Sequence, residues 1–387
     1  MNPIKIKDGI FWVGAIDWTL RNFHGYLTQK GSSYNSYLII DEKIVLIDNV
    51  KHYLFDEWIE RISKIIDIKK VDYYISNHVE MDHSGSLPKL IKLNPDIKIF
   101  SSPNGIKGLK AHYNIDFNFT EVKSGDKINI GKRDLIFLLT PMVHWPDNMV
   151  TYCPQEKILF SNDGFGQHIA SSERFDDQYE RDVFFYEAKK YYANIVLPYG
   201  EQVKKELEEA SKLEIETICP SHGLIIRKYV NEMIFYYTKW SQNETQKKAV
   251  IVFDTMWNST RIIADTIKSV LDEKDIPYKY MPLGENHISD VMTEILDSEY
   301  IFIGSPTLNK NMLPTVSAFM TYFKGLNPKG RKVMVFGSYG WGGESIKDLE
   351  KMVVDMGLNL IKSAKFQWIP KEEDLKKLKI ELNEIIK

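Results

Sequence analysis

The chain has 387 residues, 43% of them hydrophobic and 27% charged, the proportions of an ordinary globular protein and enough for about two domains of ~100–200 residues. Its 50 Lys and Arg against 53 Asp and Glu leave a formal net charge of −3, which argues against a nucleic-acid or anionic-membrane partner. Only Cys153 and Cys219 occur, no apolar run reaches the length of a membrane span, and Met1–Asp8 lacks a signal-peptide core; disulfide staples, thiolate metal sites and membrane insertion are not expected, and the cytoplasm is the expected compartment.

In chain order, Ile10–Gly14, Ser36–Ile40 and Ile44–Asp48 read as short strands, and Leu54–Ile66 has helical apolar spacing. The strand-like run Val71–Asn77 leads directly into His78-Val-Glu-Met-Asp-His83, which places four potential metal ligands in six residues. His144 follows the strand-like Asp134–Thr140, Asp163 closes Lys157–Asp163, and His222 closes Glu216–His222; Phe184–Ala193 between them is helical in spacing. Four strand ends thus deliver seven N and O donors: His78, Glu80, Asp82, His83, His144, Asp163 and His222. That exceeds the three or four protein groups of one catalytic zinc, so two metals are expected. Three carboxylates with four imidazoles form a hard donor set that suits iron or manganese. Asp163 has two oxygens to share between two ions. Strands alternating with helices suggest two sheets sandwiched between helical layers over residues 1–245.

Met233–Trp240 reads as a terminal helix and Ser241–Lys248 as a polar linker. The pattern then changes. Ala249–Phe253, Tyr300–Gly304 and Lys332–Phe336 are continuous apolar runs, separated by helical segments that begin near Thr260, Pro314 and Ser345. Such runs predict a doubly wound, five-stranded parallel sheet over 248–387, with its ligand outside the strands' carboxyl ends. Three loops lie there. Thr255, Met256, Trp257, Asn258, Ser259 and Thr260 lead into a helix amino terminus, a ready site for one phosphate. Pro306, Thr307, Leu308 and Asn309 form the second loop, and Ser338, Tyr339, Gly340, Trp341 and Gly343 the third, where aromatics can stack on a flat ring. The absence of G-x-G-x-x-G and of a Gly-Lys pair disfavours dinucleotides and nucleoside triphosphates. Lys371–Lys387 reads as an amphipathic covering helix.

The spacing H-x-E-x-D-H, followed by a distant His, Asp and His, resembles the metallo-β-lactamase fold with its second His replaced by Glu80. The second half resembles flavodoxin, and the whole chain resembles the flavodiiron proteins. That resemblance implies an α/β chain: an αββα domain holding two irons, then a flavodoxin-like domain holding FMN. One iron would take His78, Glu80 and His144, the other Asp82, His83 and His222, with Asp163 bridging. It also implies an oxidoreductase that reduces dioxygen to water or nitric oxide to nitrous oxide. The electrons would come from an external donor, rubredoxin or a reduced deazaflavin coenzyme, and the assembly would be a head-to-tail homodimer or a pair of such dimers. His24 and His168 match family positions lining the metal pocket, with proton donation or gas positioning as their expected role; Tyr192 is a candidate for a hydrogen bond into it. The alternative is a metallo-β-lactamase-fold zinc hydrolase with an accessory flavodoxin domain, which metal analysis would distinguish.

Overall fold

The computed structural model describes residues 1–387, which divide into two compact units. The first comprises Met1–His24, Thr28–Tyr192 and Tyr199–Thr238; the second comprises Gly25–Leu27, Ala193–Pro198 and Lys239–Lys387. No helix is long and apolar enough to cross a membrane.

In the first unit, β1 (Ile4–Lys7), β2 (Ile10–Trp12), β3 (Tyr37–Ile40), β4 (Ile44–Ile47), β5 (Tyr73–Ile75), β6 (Lys98–Ser101) and β7 (Phe119–Glu121) form one sheet in sequence order. The first four strands pair antiparallel, and β4 to β7 run parallel. A second sheet holds β8 (Lys127–Asn129), β9 (Asp134–Leu139), β10 (Met149–Cys153), β11 (Ile158–Asn162) and β12 (Thr217–Pro220), antiparallel except for the last pair.

Because side chains alternate along a strand, each sheet has two faces to bury. Ile39, Val45, Ile47 and Ile75 of the first sheet share one core with Phe137, Met149, Ile158 and Phe160 of the second. Leu38, Leu46, Tyr74 and Ile99 point the other way and pack under α1 (Phe55–Ser63), α3 (Leu87–Leu93) and α4 (Pro103–Tyr113). Helix α1 meets them with Phe55, Trp58 and Ile62, spaced to fall on one stripe. Between α1 and α3 lies the four-residue α2 (Met81–Ser84). Helices α5 (Arg181–Tyr191) and α6 (Gly200–Ala210) connect β11 to β12, with a π-helical turn at Tyr192–Val196 after α5, and α7 (Val230–Ser241) follows β12. The expected αββα layering is present.

The second unit alternates β13 (Gln246–Phe253), α8 (Ser259–Glu273), β14 (Tyr278–Pro282), α9 (Ile288–Ile295), β15 (Ser298–Gly304), α10 (Pro314–Leu326), β16 (Lys332–Tyr339), α11 (Glu344–Asp355), β17 (Asn359–Gln367) and α12 (Glu372–Ile385). All strands run parallel in the order β14-β13-β15-β16-β17. This is the flavodoxin order, with its ligand crevice where the winding reverses. Ala249, Ile251 and Phe253 pack against Ile263, Ile267 and Leu271 of α8. The polar stretch expected at 241–248 shortens to residues 242–245, because α7 runs to Ser241 and β13 starts at Gln246.

Candidate metal centre and flavin pocket

The seven donors predicted from the sequence converge at the strand ends of the first unit. They fall into two groups, His78, Glu80, His144 and Asp163 in one and Asp82, His83 and His222 in the other. His78 reaches the site after β5, His144 after β9, Asp163 directly after β11, and His222 after β12. Glu80 stands immediately before α2, and Asp82 and His83 lie on it. The cluster therefore ends in a helical turn.

Asp163 joins the groups. Its Oδ2 lies 3.2 Å from His144 Nε2 and 3.6 Å from His78 Nε2. Its Oδ1 lies 3.1 Å from His83 Nε2 and 3.4 Å from His222 Nε2. Glu80 Oε2 completes the first group at 3.4 Å from His78 and 3.5 Å from His144. Asp82 completes the second, with Oδ1 3.4 Å from His83 and Oδ2 3.3 Å from His222. Donors arranged around an ion at about 2.1 Å stand roughly this far apart.

The surroundings fit metals. His78, Asp82, His83, Asp163 and His222 are all buried. His78 Nε2, both Asp82 oxygens, His83 Nε2 and Asp163 Oδ1 find no hydrogen-bond partner of acceptable geometry. Leaving that many buried polar atoms unsatisfied is expensive, and cations remove the cost. Burial opposes charge on every group, yet the carboxylates outweigh it and lift His83 and His144 to about 9. Burial likewise opposes ionisation of Asp163, but His83 and His144 hold it well below the usual carboxylate range. Without a metal the carboxylates therefore keep protons on these imidazoles, and a bound cation would take the place of those protons.

Outer contacts fix two of the imidazoles. His78 Nδ1 donates to Asp147 Oδ2 at 2.8 Å, and the same oxygen accepts the Val79 amide at 2.9 Å. His222 Nδ1 donates to the Ser33 carbonyl at 2.9 Å. Each bond commits Nδ1 as donor and leaves the Nε2 lone pair for a metal. Asp147 was not singled out in the sequence; its position three residues beyond His144 was the only signal.

His24 Nε2 stands 3.3 Å from Glu80 Oε1, on a side chain that is 75% exposed. His168 is buried, its ring 4.8 Å from that of His222 and its Nδ1 2.8 Å from Ser32 Oγ. Burial, then the neighbouring His222, push His168 well below the ordinary histidine range, so it is neutral. The Tyr192 ring packs against Tyr237 at 5.0 Å, while its neighbour Tyr191 stands 5.2 Å from His168 and 5.8 Å from His222. The Tyr191 contacts went unpredicted.

In the second unit a pocket of about 640 Å³ opens at the carboxyl ends of the strands. Met256, Trp257, Ser259, Pro306, Thr307, Leu308, Asn309, Ser338, Tyr339, Gly340 and Trp341 line it. The other predicted residues support these loops. Asn258 and Gly343 are the left-handed residues that start α8 and α11, and Thr260 Oγ1 lies 3.4 Å from Ser338 Oγ. Thr255 Oγ1 is buried with no partner beside the α8 amino terminus, which suits a phosphate. Trp257 and Trp341 are each 87% exposed, available to cover a flat ring. Lys310, Gly342, Glu344, Trp368 and Ile369 also line the pocket and were not anticipated.

An αββα domain with an anionic two-metal donor set, followed by a flavodoxin domain, defines a flavin-linked metalloprotein. Residues 33–223 match the ODP family beta lactamase, and residues 251–380 match flavodoxin. The chain is 44% identical to the nitric oxide reductase of Moorella thermoacetica, covering 97% of this chain and 96% of that one. It superimposes on the rubredoxin oxygen:oxidoreductase of Desulfovibrio gigas with a TM-score of 0.97 at 39% identity, covering 100% and 98% of the two chains. The flavodiiron protein of Giardia intestinalis gives a TM-score of 0.96 at 33% identity, covering 100% and 96%. The chain belongs to the flavodiiron proteins. It is accordingly an oxidoreductase whose cofactors are FMN and a non-haem di-iron pair.

Proposed function

We propose that this protein reduces dioxygen to water, nitric oxide to nitrous oxide, or both. The observation that carries the reading is Asp163, whose two oxygens face two separate donor groups in a chain that also has a flavin pocket. In this assignment His78, Glu80 and His144 would hold one iron, Asp82, His83 and His222 the other, and Asp163 would offer an oxygen to each. Two irons held there and an FMN would together supply up to four electrons for reducing a gas.

The protein's own groups do the rest. Asp147 and the Ser33 carbonyl hold His78 and His222 in the ligating tautomer. Phe23 stands 5.2 Å from His168 and 6.3 Å from His222, and the Trp145 ring stands 5.1 Å from His78, walls that keep bulk water from the donors. His168, neutral and held by Ser32, is placed beside His222 to help position a gas rather than to give an imidazolium proton. Exposed His24, in contact with Glu80, is the group placed to exchange protons with solvent.

We assign the external donor as rubredoxin, the donor in the name of the D. gigas relative, with a reduced deazaflavin coenzyme as the second choice. We further propose a head-to-tail homodimer, or a pair of such dimers, in which each flavin serves the partner's irons; a symmetric pair is the commonest oligomer. The two free, buried cysteines suit the reducing cytoplasm. The test is anaerobic purification with metal and flavin analysis, then gas consumption with each reduced donor. Two irons, one FMN and turnover of either gas support the reading. Zinc in the site, with an inert flavin and no gas turnover, would overturn it in favour of a hydrolase. Mixing an iron-free variant (His78→Ala with His144→Ala) with a flavin-free one (Ser259→Asp with Thr260→Ala) tests the pairing; activity must reappear in mixed dimers.

A further inference from the structure

Against the outer face of the second sheet lies a cavity of about 340 Å³ that neither the ligand donors nor the flavin pocket uses. Leu138, Val150 and Leu159 form its floor on β9, β10 and β11, while Val203 and Leu207 of α6 lie across it. The space has a cause in the sequence. Helix α6 reads Gly-Glu-Gln-Val-Lys-Lys-Glu-Leu-Glu-Glu-Ala, and of these only Gly200 and Val203 are fully buried. A helix so rich in charge has too few apolar side chains to fill the layer beneath it.

Two features give the cavity a direction. Its wall includes Val143 and Gly164, the chain neighbours of His144 and Asp163. The two serines of its inner wall are engaged: Ser161 Oγ donates to the Gly164 carbonyl at 2.7 Å, and Ser124 Oγ accepts the Leu139 amide at 2.8 Å, while the charged Lys205, Glu206 and Glu209 of α6 stand along its helix side. A buried water needs two to four polar partners, and apolar cavities without them stay dry and take up xenon or small hydrocarbons. Against the aliphatic floor of Leu138, Val150 and Leu159 a charged or strongly polar ligand would lose its hydration without replacement. A neutral diatomic gas has no such loss.

We infer that this cavity binds the gaseous substrate and stores it beside the two loops that carry His144 and Asp163. The inference rests on the proposed gas-reducing function. It adds an entry site on the sheet side of the metal domain, lined by residues that touch no reacting atom. Filling the cavity should therefore reduce the supply of gas at low concentration and leave the chemistry at saturation unchanged.

The test uses the holoprotein. Crystals under xenon pressure should show xenon between Val150, Leu159 and Val203. Dissolved xenon should compete with the gas, and Val150→Phe and Leu159→Phe should each raise KM for dioxygen about threefold or more with kcat, iron and FMN content unchanged. Absence of xenon from the cavity, or an unchanged KM in filled variants that keep both cofactors, would overturn the inference. So would a co-purifying acyl chain found there, since that identifies a different occupant. If the filled variants fail to fold, xenon competition on the unaltered protein decides the matter. If that protein binds xenon but reduces neither gas, the functional reading fails and the cavity is a storage site for nothing.

Discussion

Asp147 offers the sharpest quantitative test of how the metal centre is held. It is buried, and one of its oxygens accepts from both His78 Nδ1 at 2.8 Å and the Val79 amide at 2.9 Å. Asp147→Ala removes both partners at once. The loss of an outer acceptor for a ligating histidine costs about 10–100-fold in metal affinity, or ~1.4–2.8 kcal/mol. The Val79 amide, buried and left unpaired, costs a further ~1–3 kcal/mol in stability. The effects should separate by measurement. Competition with a chelator should show weaker binding at the iron assigned to His78, Glu80 and His144, while the other iron holds. Urea unfolding of the metal-free protein should show the stability loss apart from metal binding, to which the unpaired Val79 amide and His78 Nδ1–H both contribute. Asp147→Asn should recover part of both the stability and the metal affinity, because a carbonyl in the same place still accepts from Val79 and His78, and the lost negative charge should leave the metal affinity short of the unaltered protein's. If Asp147→Ala releases iron no faster than the unaltered protein, Asp147 does not orient His78 and the reasoning is wrong.

Three further outcomes follow from the same geometry. Asp163→Asn should lose at least one iron per chain by metal analysis and with it gas reduction, because an amide cannot present two anionic oxygens to both groups; full retention of both irons would remove Asp163 as the bridge. Trp12 is buried with the guanidinium groups of Arg61 and Arg174 each 5.0 Å from its ring and its Nε1 donating to Asn35 at 2.8 Å, so Trp12→Ala should destabilise by about 3–5 kcal/mol, read as a fall in the urea midpoint. Burial raises the pKa of Asp17, but hydrogen bonds from Tyr53, Thr19 and Leu20 outweigh it and hold it below its ordinary value. A depressed folded-state pKa contributes stability above the unfolded value of about 3.9 that is lost as pH falls through the folded value; the stability gap between the unaltered protein and Asp17→Asn should close over that range, and a gap independent of pH would count against it.

The donor set was legible because metal chemistry is written in residue types and local spacing. His78 to His83 announce themselves within six residues, and the remaining donors each follow an apolar run. The central strands β13, β15 and β16 were equally plain, since both faces are buried and the runs are uninterrupted. The edge strands β14 and β17 were not, because Tyr278–Pro282 and Asn359–Gln367 keep one side toward solvent and carry polar residues. The end of α5 was less plain. Periodic spacing extends α5 through Ala193, but the helix ends at Tyr191 and a π-helical turn begins at Tyr192. A π turn rotates the residues after it away from the face that a 3.6-residue repeat predicts. Trp368 also escaped notice: it lies just past β17 with a left-handed φ of 60°, and its ring packs against Gly340.

The location of the donors on the fold bears on stability as well as chemistry. His78, Glu80, Asp82 and His83 follow a strand of the first sheet, whereas His144, Asp163 and His222 follow strands of the second. Each donor group therefore draws on both sheets, and any ion bound there ties their ends together. Between the sheets the contacts are apolar and close-packed, an arrangement that needs no metal to form. At the strand ends that apolar core stops, and buried carboxylates and imidazoles replace it with atoms that lack hydrogen-bond partners. Folding by itself leaves these atoms desolvated at a cost, and metal binding releases it. Affinity for iron and stability of the strand ends are thus one free energy expressed twice. Outer groups such as Asp147 act on both, which is why a substitution that never touches a metal should register in iron retention and in unfolding alike.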